Sequence, residues 1–283
     1  MEFVWSSLSE VYPKESPQSY PRCALVAISQ EANGLFHNFA VGSSELDVAR
    51  RAVERLPSGS LFIGDELYNW YGFWSDLTGR EVAFIVSIKR KRTVQLVREL
   101  TPGDALVRIQ RPARSKTSLL ADQYDQLPPE MTVRGITYTN PESPDKQRVL
   151  ITSLTDPAIT AGDIAAKYTS RWDIELRIRE IKTVMGLNIA RSKTPDGVHK
   201  EIAAGLIAYN IIRELITESV QSDSPPLRIS FKNTIRAVRN YLQIKLVGCT
   251  GGDPREGLQK LKEQISRQFV RERPDRSYPR KLK

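Results

Sequence analysis

Apolar and polar positions change rhythm twice along this chain, and the changes divide it into regions. Residues 23–29 (CALVAIS) form an apolar, β-prone run, Asn33-Gly34 is a turn signal, and residues 35–41 resume the run, which predicts a hairpin. Ser44 stands where it can cap a helix. The apolar positions Leu46, Ala49, Val53 and Leu56 recur there at helical spacing, and Pro57 and Gly59 end it. Residues 60–63 (SLFI) predict a short buried strand, residues 69–77 a helix, and residues 82–88 (VAFIVSI) another buried strand.

From there to Pro157 the rhythm becomes short β-prone pieces at 105–109, 132–139 and 148–154, separated by Pro, Gly and Asp. No helical pattern runs through this stretch, which reads as a β-rich insertion. Helical periodicity returns after Thr160 or Gly162 in one long helix through AAKYTSRWDIELRIREIKTVMGL. Residues 198–219 predict a second helix, apolar nearly all round and so buried against the first. Residues 231–246 predict a third, and a last helix follows Pro254 to about Phe269. The layout is mixed α/β around a central sheet. It is compatible with a ribonuclease-H-like core, in which acids gather at the ends of adjacent strands and on one facing helix. The expected division is 1–22 as an irregular N-terminal segment, 23–88 as the first part of the core and 89–157 as the β-rich insertion. Residues 158–220 are then the second part of the core with its Glu-bearing helix, and 221–283 a C-terminal helical region with a basic tail.

Composition narrows the partners. Lys and Arg total 42 against 33 Asp and Glu, a net charge of +9, which favours an acidic partner and nucleic acid first. The stretch 89–92 (KRKR), Arg111, Arg114, Lys116 and the tail from Arg267 to Lys283 could all follow a DNA backbone. A solvated strand exit and an irregular tail account for them equally well. Cys23 and Cys249 form no CxxC pair and no secretory segment is visible, so a reduced, cytoplasmic chain is expected. His37 and His199 are too few for a zinc site. No apolar stretch approaches the roughly 20 residues that span a bilayer, so no membrane role is expected.

The candidate chemistry rests on a few side chains. Tyr168, Arg171, Glu175 and Lys182 fall within roughly 60° of one another on a helix at about 100° per residue. A carboxylate beside an Arg, a Lys and a Tyr suits a divalent metal held next to a phosphodiester; a solvated, ion-paired helix face is the plainer reading. Glu180 and Asp173, each with Arg177, fit that plainer reading. Asp65 follows a buried strand, where open α/β sheets place ligand sites, although an Asp there can simply cap the next helix. Gly64 before it would let a phosphate approach closely. Two-metal phosphodiester chemistry needs about three carboxylates around ions some 3.5–4 Å apart; Asp65 and Glu175 could supply two. The aromatic pairs Trp70-Tyr71 and Phe73-Trp74 read as core of a small helix.

The spacing Tyr168-x2-Arg171-x3-Glu175-x6-Lys182 resembles the Tyr-Arg-Glu-Lys signature of the insertion-sequence transposases with a DDE acidic triad, the insertion sequence four family. The blocks YPRCALVAI, LPSGSLFIGDELYNWYGFW and AYNIIRELI and the ending RPDRSYPRKLK are similar to that family as well, so the resemblance covers about residues 18–283. It implies a ribonuclease-H-like catalytic domain with a β-rich insertion, working with Mg2+ or Mn2+. The implied activity is hydrolysis at transposon ends and transfer of the 3′ hydroxyl to target DNA. The implied partners are double-stranded DNA (terminal inverted repeats and target) and a second copy in a homodimer. On that pattern Asp65 and Glu175 match the second and third acids as metal ligands, and Tyr168, Arg171 and Lys182 match contacts to terminal phosphates. The first acid belongs on an earlier strand in an Asp-Gly-Thr-like block, and no Asp precedes Asp47 here. A truncated or frameshifted product, inactive alone, is therefore expected. The alternatives are a non-catalytic DNA-binding remnant and a ribonuclease-H-like nuclease.

Overall fold

A computed structural model describes residues 21–88, 93–116, 121–140, 143–220, 226–246 and 253–270. The basic run 89–92, Cys249, most of the irregular start and the tail from residue 271 lie outside them. The chain forms two units, residues 1–28 with 37–175 and residues 29–36 with 176–283.

In the first unit, strands β1 (Ala24–Ser29) and β2 (Phe36–Gly42) make a two-stranded sheet, with their connecting tip counted in the other unit. Helix α1 (Glu45–Val53) follows. Ser44 occupies its cap position, yet its side chain makes no capping bond. Strand β3 (Leu61–Gly64), a single 3-10 turn (Glu66–Tyr68), helix α2 (Tyr71–Gly79) and strand β4 (Ala83–Ile88) come next. Strands β5 (Gln95–Thr101), β6 (Asp104–Gln110), β7 (Glu130–Asn140) and β8 (Ser143–Thr152), with the short helix α3 (Ala121–Asp125), complete a six-stranded sheet ordered β3-β4-β8-β7-β6-β5. β3 and β4 are parallel; every other pairing is antiparallel. The strands after β4 thus extend the sheet that β3 and β4 begin.

Alternation along β4 explains its unbroken apolar run. Phe84 and Val86 join Trp74, Phe73, Leu77 and Val48 in a core on one face, while Ile85 joins Ile136, Leu150, Ile164 and Tyr168 on the other. Helices α1 and α2 cover the first face. Helix α4 (Ala161–Thr169) covers the second. Val26 of β1 and Ala40 of β2 share the first core, although the hairpin makes a sheet of its own and not the edge of a single central sheet. Tyr71, Phe73 and Trp74 are fully buried, as expected of a core helix.

The long helix expected through the signature is interrupted. α4 ends at Thr169, Arg171 N–H reaches only back to Tyr168 O (3.1 Å) and Ile174 N–H to Arg171 O (3.1 Å), so the chain tightens to three-residue turns before α5 (Trp172–Arg179). A π-helical turn, Glu180–Val184, follows at once, with Met185 N–H bonding Glu180 O at 2.9 Å. Gly186, at φ +76°, lets the chain reverse there.

In the second unit, α6 (Pro195–Ser219), α7 (Phe231–Leu246) and α8 (Pro254–Ser266) pack on one another, and the π turn packs on α6 and α7. Gly205 of α6 receives the Leu187 side chain where a Cβ would collide with it. The expected all-round apolar helix is buried on one side only; Ile207 and Ile211 stay exposed. Asn210 clamps the hairpin tip, donating to Phe36 O (2.9 Å) and accepting from Phe36 N–H (2.8 Å). Arg177 and Glu180 are not solvated partners. Arg177 is buried and donates to Ser29 Oγ (2.7 Å) and Glu31 O (3.1 Å), whereas Glu180 accepts from Tyr209 OH (2.9 Å) and pairs with buried Arg213. No helix among the described residues is long and apolar enough to cross a membrane.

Candidate functional site

Asp65 leaves the carboxyl end of β3, held by an aromatic cluster. The rings of Phe62, Tyr68 and Phe73 meet at 5.2–5.5 Å, and Trp74 Nε1 donates to Tyr68 O at 3.0 Å. Burial pushes the Tyr68 phenol far up, with the charges of Glu45 and Asp65 adding to it. Gly64 serves this packing: a Cβ there would stand 2.7 Å from both Phe62 and Tyr68, so its small size answers to rings rather than to a phosphate. Asp65 is exposed and caps the following turn, one carboxylate oxygen accepting from Leu67 N–H at 3.0 Å. Among the described residues its other oxygen has no hydrogen-bond partner.

Strand registers fix which end of the sheet each group occupies. Leu61 pairs with Ala83 and Gly64 with Val86, so Asp65 sits level with the carboxyl half of β4. On the antiparallel neighbours, Ile88 pairs with Val149 and Tyr138 with Arg148, which puts Tyr138 at that same end. The Tyr168 ring meets Tyr138 edge-on at 6.0 Å. The start of α4 is tied to the opposite end, where Arg134 pairs with Thr152. There the buried Arg134 guanidinium bonds Asp104 (2.5 and 2.7 Å) and donates to the carbonyls of Asp156 (2.9 Å) and Ile159 (2.8 Å). A capping box between Thr160 and Asp163 completes the anchor. α4 thus runs in the direction of β3 and β4, and its last residues lie toward the same strand ends as Asp65, against Tyr138 of β7. By strand alternation, Asp65 also shares the side of Leu61 and Ile63, the side on which α4 packs.

The signature residues do not form one exposed stripe. Tyr168 is 2% exposed and packs in the core, its hydroxyl without a hydrogen-bond partner among the described residues. The Arg171 guanidinium lies 5.7 Å from the Tyr168 ring centroid and 3.8 Å from Glu175. Burial raises the Tyr138 phenol, with the nearby charge of Arg171 opposing the rise. Glu175 is half exposed. Lys182 is exposed, in the π turn of the second unit, where the wider turn departs from α-helical angles. The structure brings Tyr168, Arg171 and Glu175 together. Among the described residues no group of three or more His, Cys, Asp or Glu is placed to hold a metal ion. Sequence reasoning missed Arg134 and Asp104, which position α4; the only available signal was a charge in each of two β-prone segments.

A family model for a transposase DDE domain matches residues 11–211. Over 281 residues the chain is 27% identical to the transposase InsG for insertion sequence element IS4 of Escherichia coli (strain K12), covering 95% of this chain and 61% of that protein. It is 27% identical over 162 residues to the putative transposase y4zB of Sinorhizobium fredii (strain NBRC 101917 / NGR234), covering 56% of this chain and 43% of that one. It is also 32% identical over 113 residues to the transposase for insertion sequence element IS421 of Escherichia coli, covering 35% and 30%. The chain thus spans 61% of the length of the first of these relatives and less than half of the other two.

Proposed function

Because the chain belongs to the transposase DDE domain family, we propose that it carries a ribonuclease-H-like core acting on phosphodiesters at transposon ends. The observation that carries this reading is the shared direction of β3 and α4. Asp65 after β3 and Tyr168 near the end of α4 both lie toward the carboxyl end of β4, and Arg171 and Glu175 follow Tyr168 closely in the chain.

Asp65 and Glu175 would hold Mg2+ or Mn2+. Both offer the oxygen donors such ions take, and neither is locked in a buried ion pair. When bound, the ions supply activation of an attacking oxygen and stabilisation of a leaving one. Arg171 would neutralise charge gathering on a phosphate beside Glu175, and Tyr168, buried as it stands, would have to turn outward for its hydroxyl to meet a phosphate oxygen. Lys182 would contact a terminal phosphate on its own unit. Two acids fall short of the three that the family pattern implies, so full activity would need a further carboxylate outside the described residues. The substrates on this reading are terminal inverted repeats and target DNA, with two copies working across paired ends.

A second reading, DNA binding without chemistry, is favoured by the lack of a three-acid group among the described residues. The test combines the chain, alone or supplemented with an upstream Asp-Gly-Thr-bearing segment, with duplexes from the ends of its element under Mg2+ or Mn2+. End-specific cleavage and joining that Glu175→Gln abolishes is the expected result. Cleavage surviving Glu175→Gln would overturn the assignment of Glu175, and salt-dependent binding with no cleavage in any preparation would leave the second reading.

A further inference from the structure

We propose that the outward face of α7, in the second unit, is a contact surface for the phosphate backbone of duplex DNA. The proposal rests on the DNA reading above and adds a surface to it.

The 16 residues of α7 (FKNTIRAVRNYLQIKL) include no Asp or Glu. Lys232, Asn233, Arg236, Arg239, Asn240 and Gln243 are all exposed. At about 100° per residue these six fall within an arc of roughly 120°. The opposite side carries the buried Phe231, Thr234 and Ala237, which face the packed helices. Among the described residues, Lys232, Arg236 and Arg239 have no acidic partner.

The other helices of this unit pair their lysines with acids. Lys200 on α6 pairs with Asp196 at 2.6 Å; on α8, Lys260 pairs with Glu256 at 2.6 Å and Lys262 with Glu218 at 2.8 Å. Those faces are ordinary solvated surfaces. On α7 the neighbours Lys232 and Arg236 (i,i+4) and Arg236 and Arg239 (i,i+3) repel each other instead, an arrangement that a polyanion relieves. The other residues of the arc, Asn233, Asn240 and Gln243, are amides, the groups that hydrogen-bond phosphate oxygens and base edges. A membrane-binding face would carry large apolar side chains in their place; the exposed Leu242 and Ile244 fall outside the arc. Spacing agrees as well. Lys232 to Arg239 spans about 10 Å at about 1.5 Å per residue, which matches the rise across about three phosphate-to-phosphate steps of one DNA strand.

The experiment measures binding of the full chain to a labelled 30-base-pair duplex at several salt concentrations, with circular dichroism to verify helix content. The triple variant Lys232→Gln/Arg236→Gln/Arg239→Gln should make the log–log salt slope shallower by about 2.7, at about 0.9 per phosphate contact. Between 50 and 200 mM salt the wild type then loses about 40-fold more affinity than the variant does. Arg236→Gln alone should remove about a third of the slope change. Lys200→Gln/Lys260→Gln/Lys262→Gln deletes the same charge from acid-matched positions and should change the slope by less than one contact. A wild-type slope in the α7 variant, or an equal drop in the control, overturns the proposal while the DNA reading stands. No duplex binding by the wild type even at low salt defeats both.

Discussion

Removing the Asp104 carboxylate should loosen the start of α4 before it disturbs anything else. Arg134 is 1% exposed and Asp104 3%, and the guanidinium makes four hydrogen bonds, two to the carboxylate and two to the carbonyls of Asp156 and Ile159. An arginine side chain keeps its proton at any ordinary pH, so Asp104→Ala leaves a full charge buried, not a neutral group. Two charge-assisted bonds are worth about 1.5–3 kcal/mol each, and breaking a buried pair from one side costs about 3–5 kcal/mol. The expected fall in melting temperature is then about 6–20 °C. Asp104→Leu/Arg134→Met should recover only part of this. It removes the stranded charge but leaves two carbonyls that the guanidinium had satisfied, at about 1–3 kcal/mol for each buried group left unpaired. Chemical denaturation gives the magnitudes, and hydrogen exchange at residues 161–164 locates the damage. A cost below about 1 kcal/mol for Asp104→Ala, or unchanged exchange at the start of α4, would refute the view that this pair sets the helix in place.

Gly205→Ala should destabilise the second unit by about 1–3 kcal/mol through collision with Leu187, and Leu187→Ala added to it should give a smaller cost than the two changes summed, read by denaturation. Glu201 accepts from the backbone N–H groups of Arg191 (2.9 Å) and Ser192 (2.9 Å), which hold its carboxyl below the usual range. A depressed folded value means that this stabilisation is present above the unfolded value of about 4.3 and is lost as pH falls through the lower folded value. Exchange protection of those two amides, corrected for intrinsic rate, should follow that course and should lose its pH dependence in Glu201→Gln. Tyr168→Phe removes a buried hydroxyl that has no partner among the described residues, so folding stability should hold within about 0.5 kcal/mol or rise slightly. Duplex affinity should fall if that hydroxyl meets a phosphate; a large loss of stability would mean that it is already satisfied in the fold.

Patterns that depend on neighbours in the chain were legible, and those that depend on distant partners were not. β3 and β4 announce themselves as unbroken apolar runs because both their faces are covered. β5 gave no such signal. Its residues QLVRELT are exposed at all but one position, and only its pairing with β6 makes it a strand. Glu180 looked like half of a surface ion pair because its actual partners, Tyr209 and Arg213, come 29 and 33 residues later. Burial of Tyr209 between Phe36 and Phe231 could not be read from a helical wheel either.

The signature Tyr-Arg-Glu-Lys shows the same division within one motif. Its residue types and spacing identify the family, but the wheel that put four side chains on one face assumed a uniform helix. The three-residue turns at Ser170 and Arg171 and the π turn at 180–184 each alter the angle per residue, in opposite senses. Tyr168 consequently turns into the sheet-facing core while Glu175, seven residues on, is half exposed. Arg171 connects the two, stacked toward the ring on one side and 3.8 Å from the carboxylate on the other. An unbroken helix would have kept Arg171 and Glu175 on the sheet-facing stripe with Tyr168. The interruption instead gives the motif a buried end, fixed by packing on Tyr138, and an exposed end free to take a ligand. That asymmetry suits a site that must hold its geometry before substrate arrives, since a carboxylate on a mobile surface would have to be ordered at the expense of binding.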